Sequence, residues 1–497
     1  MIMTVLRKTV FILLVLTLGC KHSEGQEINA RFEISEAPPV KVKEGQAFTF
    51  GYLQVPENRN KANSNTIQLP VYIFKSRSKT PNPDPVIYLV GGPGSSILGA
   101  VPYMNYYQYL DDRDFILLEQ RGTTYAQPHL ACPEWAEAVF QSRLPGRTDE
   151  QSDSLFRQAA LDCRDRLLSE NIDLHGYNTQ EIAADVEALR QTLGIEQYNL
   201  LTLSYGTKIA QTLLRDYPEG IRSVVMDSPL PLEVNYDEES VGNLLESWDL
   251  IFRDCQKDPK CKKAFPDLKE RFFQFLEEKT NRPQALTLTN PNTGKEETFY
   301  LKGKDIFLLL SPGSTYEVAG VPGEVHKVLT GDWSTIEEIL ASLFEGPGNG
   351  AGMGMRLSVW CAEEMPFNDR KKVEEESKAY PAIKGLSPAV FQPEICDLWG
   401  VKRVPIKENQ AVKSDVPVLL ISGEYDNETP LKWAQKMQQN LPNSQHLIFK
   451  GWHHTPTTYW NNPCGMNAAN AFFNNPLKKP DLDCLEKIKS PKFKMFK

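Results

Sequence analysis

A serine, an acid and a histidine that together could carry out acyl transfer each follow a strand-like apolar run in this chain. In "NLLTLSYGTKIA", Ser204 stands between the buried-strand pattern "YNLLTL" and a helical pattern running from about Lys208 to Tyr217. A G-x-S-x-G elbow exposes a nucleophilic hydroxyl at such a strand-to-helix turn. Gly206 fits that pattern, but Thr202 occupies the position of its first glycine. A helix starting just after Ser204 would favour negative charge developing there.

The acid should follow a later strand, and the base should follow the acid. Asp426 in "VPVLLISGEYDNETP" is in that position, with Asp227 in "VVMDSP" as its rival. Of the seven histidines, only His446, His453 and His454 lie beyond Asp426. His446 is inside the strand-like "QHLIFK", where packing is its expected role. His453 and His454 lie in the loop "KGWHHTP" that follows.

The oxyanion formed by attack on a carbonyl needs main-chain donors. The Tyr205 N–H is one candidate, and the Gly92 N–H in "GGPGSS", just after "VIYLV", is the other. Glycines let the backbone approach a substrate closely. The same loop lacks the Lys-Ser/Thr ending of a phosphate-binding P-loop and the spacing of a dinucleotide fingerprint.

These residues need a scaffold that brings strand ends together. "PVIYLV" and "FILL" are apolar on both faces, as in buried parallel strands. In "TQEIAADVEALRQTLG", Ile182, Val186, Leu189 and Leu193 share one helical face, and Gly194 marks the stop. "YNLLTL", "IRSVVM", "VPVLLIS" and "QHLIFK" continue the alternation of strand and helix. This predicts an α/β fold with a mostly parallel, doubly wound sheet. Between Asp227 and Asp415 the strand rhythm stops, and amphipathic helices and the glycine-rich "EGPGNGAGMGM" appear. The expected organisation is a signal segment over 1–20, a polar tether over 21–44, core over 45–230, a mainly helical cap inserted over 231–414, and core again over 415–497.

Composition narrows the function classes. The 497 residues are 41% hydrophobic and 24% charged, as in globular proteins. A net charge of −9 without a long basic run argues against nucleic acid or an anionic membrane surface as partner. Arg7 and Lys8 precede an apolar run from Val10 to Leu18 that is too short to span a bilayer and reads as an export signal. It ends in "TLGC", similar to a lipoprotein signal whose Cys20 becomes the lipidated residue. Membrane contact is expected only through that lipid; without it, the chain would be periplasmic or secreted. Eight of the nine cysteines remain after Cys20, an even number that suits disulfides in an exported chain. Proximity favours Cys255–Cys261 and Cys464–Cys484.

"GGPGSS", "EQRGTTYAQP", "LSYGTKIAQ", "GEYDNETP" and "GWHHTP" occur in the order and spacing of the proline iminopeptidase and tripeptidyl aminopeptidase family of α/β-hydrolases, which the chain resembles from about Phe48 to Cys484. The resemblance aligns His454 with the family's base, His453 standing where a glycine is common. Val90 replaces a usual histidine, and Glu119 a usual aspartate. Arg121 is expected to tie loops together through its planar fork. The resemblance implies an aminopeptidase acting through an acyl-enzyme on peptides with a free N-terminus, with no metal or organic cofactor. It also implies that carboxylates in "SVWCAEEMPF", Glu363 and Glu364, hold the substrate ammonium. An esterase on the same fold and a non-catalytic binding lipoprotein are the competing readings.

Overall fold

The computed structural model describes residues 30–143, 147–346, 348–387, 390–490 and 492–495; the signal segment and Cys20 lie outside the described residues. Nine strands form the central sheet: β1 (Arg31–Ile34), β2 (Phe48–Pro56), β3 (Thr66–Phe74), β4 (Asn82–Leu89), β5 (Arg113–Leu118), β6 (Tyr198–Leu203), β7 (Ile221–Asp227), β10 (Val418–Gly423) and β11 (Ser444–Phe449). Their order is β1-β2-β3-β5-β4-β6-β7-β10-β11. β1, β2, β3 and β5 pair antiparallel, and every pairing from β5 to β11 is parallel. The fold is therefore the expected α/β architecture. The apolar runs became central strands because both faces are covered: β6 and β10 are buried at every residue.

Helices α1 (Thr179–Thr192) and α2 (Gly206–Asp216) cover one face. Ile182, Val186 and Leu189 of α1 pack with Ile209 and Leu213 of α2 against the sheet. The chain order reverses beside β4: β5 lies on one side of it and β6 on the other. Such a switch point opens a crevice at the carboxyl ends of the strands. The "GGPGSS" loop leaves β4 there, and Ser204 leaves β6.

Three features of the structure add to the expected organisation. The polar tether over 21–44 includes strand β1, which pairs with β2, and Tyr72 Oη donates to Val40 O at 2.8 Å. The cap over 231–414 is mainly helical but carries a hairpin of β8 (Gln284–Thr289) and β9 (Glu296–Leu301). Two helices within the expected core, Pro133–Arg143 and Asp149–Ser169, share a hydrophobic cluster with cap residues Leu357, Trp360 and Trp399. Their amphipathic faces were free to pack on either layer, and aromatic surface from the cap claimed them.

Four disulfides staple this arrangement: Cys132–Cys163, Cys255–Cys261, Cys361–Cys396 and Cys464–Cys484. The two pairs favoured by proximity both form. Such a set belongs to a chain that matures outside a reducing compartment. Among the described residues, no helix is long and apolar enough to cross a membrane.

Arg121 ties the sheet to α1. Its guanidinium is fully buried, donating to both oxygens of Asp185 at 2.7 Å and to the carbonyls of Glu57 and Gly176 at 2.5 Å. Asp185 has a second partner in Arg59 Nη2 at 2.7 Å, but without Arg121 one of its buried carboxylate oxygens and the carbonyls of Glu57 and Gly176 lose their donor. Arg121→Met is expected to destabilise the protein by about 3–5 kcal/mol. Urea denaturation checks this; an unchanged midpoint would show that the loops are held by other contacts.

Candidate active site

Ser204 has φ +53°, in the left-handed region, which turns the chain sharply from β6 into α2. Two glycines make room for that elbow. A Cβ on Gly206 would lie 2.6 Å from Leu89 O, and one on Gly91 would lie 2.7 Å from Ser204 Cβ. Thr202, in place of the usual first glycine, is buried, and its hydroxyl donates to Val225 O at 2.9 Å. The side chain thus fits because a neighbouring strand satisfies its polar atom.

Main-chain hydrogen bonds run across the carboxyl edge of the sheet. Ser204 N–H donates to Asp227 O at 2.9 Å, Ser228 N–H to Ile421 O at 2.8 Å, and Glu424 N–H to Phe449 O at 3.0 Å. They fix the ends of β6, β7, β10 and β11 relative to one another. A Cβ on Gly423 would lie 2.6 Å from Trp452 O, so the histidine loop rests directly on the end of β10.

Asp426 and His454 meet on this edge, with His454 Nδ1 at 2.8 Å from Asp426 Oδ2. Asp426 Oδ1 accepts the main-chain N–H groups of Glu428 and Thr429 at 2.9 Å, and Oδ2 accepts Thr429 Oγ1 at 2.9 Å. Burial alone would raise the Asp426 carboxyl, but the His454 charge outweighs it and holds the pKa at about 2. Burial alone would lower His454; the Asp426 and Glu428 carboxylates overcome this and raise it to about 10. Glu428 Oε2 lies 3.6 Å from His454 Nε2, on a side chain still 45% exposed. His454's hydrogen-bond partners among the described residues are Asp426 and Thr429. None joins it to Ser204, a contact that substrate-free sites often make only on binding.

Asp227, the rival acid, holds the histidine loop rather than the histidine. Its Oδ2 accepts Thr457 N–H at 2.8 Å and Thr457 Oγ1 at 2.5 Å, and burial lifts its pKa to about 7. Ser228 Oγ accepts Thr455 N–H at 2.8 Å on the same loop. His453 is fully buried with neither ring nitrogen bonded, and its main-chain N–H donates to Thr315 Oγ1 of the cap at 2.8 Å. His446 lies at 3.0 Å from Ser422 Oγ within the sheet.

The Tyr205 and Gly92 N–H groups have no acceptor among the described residues. The loop that carries Gly92 is anchored by Glu119, which accepts Ser96 Oγ at 2.9 Å and Ile97 N–H at 3.1 Å on one side. On the other it accepts Thr123 Oγ1 at 2.7 Å and Tyr125 N–H at 3.2 Å. Gln120 Nε2 donates to Val90 O at 2.8 Å. This anchoring was not read from the sequence, although Glu119 had stood out as a departure from the family pattern.

Glu363 and Glu364, the carboxylates expected to hold the substrate ammonium, are buried, and Glu364 Oε2 has no hydrogen-bond partner among the described residues. They close a cap helix, α3 (Met353–Glu363), with exposures of 4% and 2%, and buried carboxylates take their partners from the fold. Glu363 accepts Thr179 N–H at 2.6 Å and Thr179 Oγ1 at 2.5 Å, and burial raises its pKa to about 7. Thr179 Oγ1 is in turn 2.8 Å from Tyr205 Oη. Glu364 forms a buried ion pair with Lys208 of α2. The Cys132, Glu134 and Cys163 side chains cluster as a metal site would, but the two sulfurs are joined in a disulfide and offer no thiolate.

A family model described as "alpha/beta hydrolase fold" matches residues 84–290, and one described as "TAP-like protein" matches residues 387–484. The chain has the α/β-hydrolase fold. The hydrolase is similar to serine protease Hip1 of Mycobacterium tuberculosis, with 23% identity over 467 residues, 85% of this chain and 84% of the relative. It is 24% identical to the tripeptidyl aminopeptidase of Streptomyces lividans over 438 residues, covering 83% and 79% of the two chains. A proline iminopeptidase of Neisseria meningitidis matches a shorter stretch of the hydrolase, 24% identical over 181 residues, 36% of this chain and 40% of the relative. The family resemblance drawn from the motifs is borne out, and these relatives support a peptidase-type hydrolase.

The two carboxylates around His454 generate a prediction about its proton. The downfield resonance of the His454–Asp426 hydrogen bond is expected to titrate well above the ordinary imidazole value of about 6.5. Glu428→Gln is expected to move that midpoint to lower pH, because one raising charge is lost. A midpoint unmoved by the substitution would show that Glu428 does not act on the ring.

Proposed function

We propose that the protein is an exported serine aminopeptidase that releases single residues or short peptides from the free N-terminus of peptides. The observation that carries this reading is the Asp426–His454 pair lying on the same sheet edge as the strained elbow of Ser204. His454, in the neutral form that gains population as pH rises toward its raised pKa, takes the Ser204 proton as Oγ attacks the carbonyl, and Asp426 fixes the tautomer and stabilises the imidazolium. The Gly92 and Tyr205 N–H groups hold the oxyanion; losing one such donor costs roughly a hundred- to a thousand-fold in turnover. The imidazolium then protonates the leaving amine, and water attacks the acyl-enzyme with His454 again as base.

An ammonium entering a water-poor cleft needs a carboxylate. Glu363 is bonded to Thr179 and Glu364 Oε1 to Lys208, so we give this role first to Glu428, the exposed carboxylate beside His454, with the unbonded Glu364 Oε2 as the buried alternative. Glu363 has a different task in this reading. Through Thr179 it locks the Tyr205 side chain, and so orients the oxyanion donor on the same residue. Export with a lipid on Cys20 belongs to the same proposal, supported by the four disulfides and the apolar run before Cys20.

Chromogenic mono-, di- and tripeptide amides, each with a free or acetylated N-terminus, test the reading. Cleavage of the free-amine series alone is expected, with the best length reporting the depth of the cleft. Ser204→Ala is expected to lower kcat by on the order of a million-fold. Equal cleavage of acetylated substrates would make the protein a general hydrolase or esterase. If folded protein also failed to react with a serine-directed fluorophosphonate, the catalytic reading would fall in favour of a binding protein.

A further inference from the structure

Arg356 lies on α3, one turn beyond Gly352, at the point where the cap meets the "GGPGSS" loop. Gly352 and Gly94 touch main chain to main chain, so that a Cβ on either would overlap the other's backbone. The Arg356 guanidinium is half-buried, 5.7 Å over the Trp360 ring. Among the described residues it makes no hydrogen bond and no ion pair.

This isolation has a structural cause. Asp237 is the acid deepest beside Arg356, but three donors occupy it: Trp360 Nε1 at 3.2 Å, Asn368 Nδ2 at 2.8 Å and Val390 N–H at 3.1 Å. Burial also lifts its pKa to about 7, which weakens it as a counter-ion. Glu428, the other acidic neighbour, stands beside His454 and makes no ion pair with Arg356 among the described residues. Tyr236 is close enough to feel both charges, its ring 5.4 Å from Trp360 and 6.0 Å from Trp433. A half-buried guanidinium normally satisfies its planar fork with a carboxylate. Here the aromatic wall fixes the side chain, and its donors remain unspent.

We infer that Arg356 is a specificity-determining residue that binds a carboxylate of the peptide substrate, across the cleft from Glu428. The inference rests on the aminopeptidase reading of the same site and deepens it. With a cation at Arg356 and an anion at Glu428, the cleft matches a short peptide carrying a charge of each sign. The carboxylate can be the C-terminal group of a short peptide or an acidic side chain of a longer one.

Binding separates this inference from catalysis. Ser204→Ala protein is titrated with a tripeptide and its C-terminal amide, and with a longer C-terminally amidated peptide carrying Glu or Gln at one position. At least one carboxylate-bearing member is expected to bind about tenfold more tightly than its neutral partner. The pair that shows the preference identifies the source of the carboxylate. R356Q is expected to bring that ratio close to one. R356K keeps the charge but loses the fork, and is expected to fall between the two. Equal affinities within both pairs, or a ratio unchanged in R356Q and R356K, would overturn the inference. Fluorophosphonate labelling of protein with Ser204 intact tests the hydrolase reading separately, because that probe carries no carboxylate.

Discussion

The site depends on a row of main-chain hydrogen bonds along one edge of the sheet. Side chains from the ends of β6, β10 and β11 can meet only if those ends keep a fixed offset, and the bonds from Ser204 to Asp227, Ser228 to Ile421 and Glu424 to Phe449 set it. Amides in a parallel sheet have few alternative partners, so this row is as rigid as the sheet itself. Asp227 and Ser228 extend it by holding the loop that carries His454. Residues that perform no chemistry thus position those that do.

Strain collects along the same edge. Ser204, Ser228 and Thr455 all have φ between +53° and +57°, a region that side-chain-bearing residues rarely occupy. Thr455 is β-branched, which makes its conformation the costliest of the three. Such residues persist where surrounding contacts over-determine them. Here the contacts are evident: the Thr455 N–H is held by Ser228 Oγ, and the Ser204 N–H by Asp227 O. The close packing of Gly91, Gly206 and Gly423 serves the same end, because a methyl group at any of them would push a strand end out of line.

The sheet was legible because its strands are apolar on both faces, and that signal does not depend on distant partners. The order of Ser204, Asp426 and His454 could be read for the same reason, each following one of those strands. Strand β1 escaped notice because four residues at a sheet edge show little alternation. The β8–β9 hairpin carries a period-two pattern in "QALTLT" and "EETFYL", split by the turn-forming "NPNTG", but these are two short strands set among longer helical patterns. What the sequence could not convey was partnership across long separations. Glu363 looked available until Thr179 came to sit against it, and Asp227 became distinct from Asp426 only once Thr457 faced it.

The bare contact between Gly94 and Gly352 couples the cap to the chemistry beneath it. With no side chain between the two backbones, there is no compliant layer to absorb a displacement. A movement of the cap toward the sheet is therefore passed directly to the "GGPGSS" loop, and a movement away removes the surface on which that loop rests.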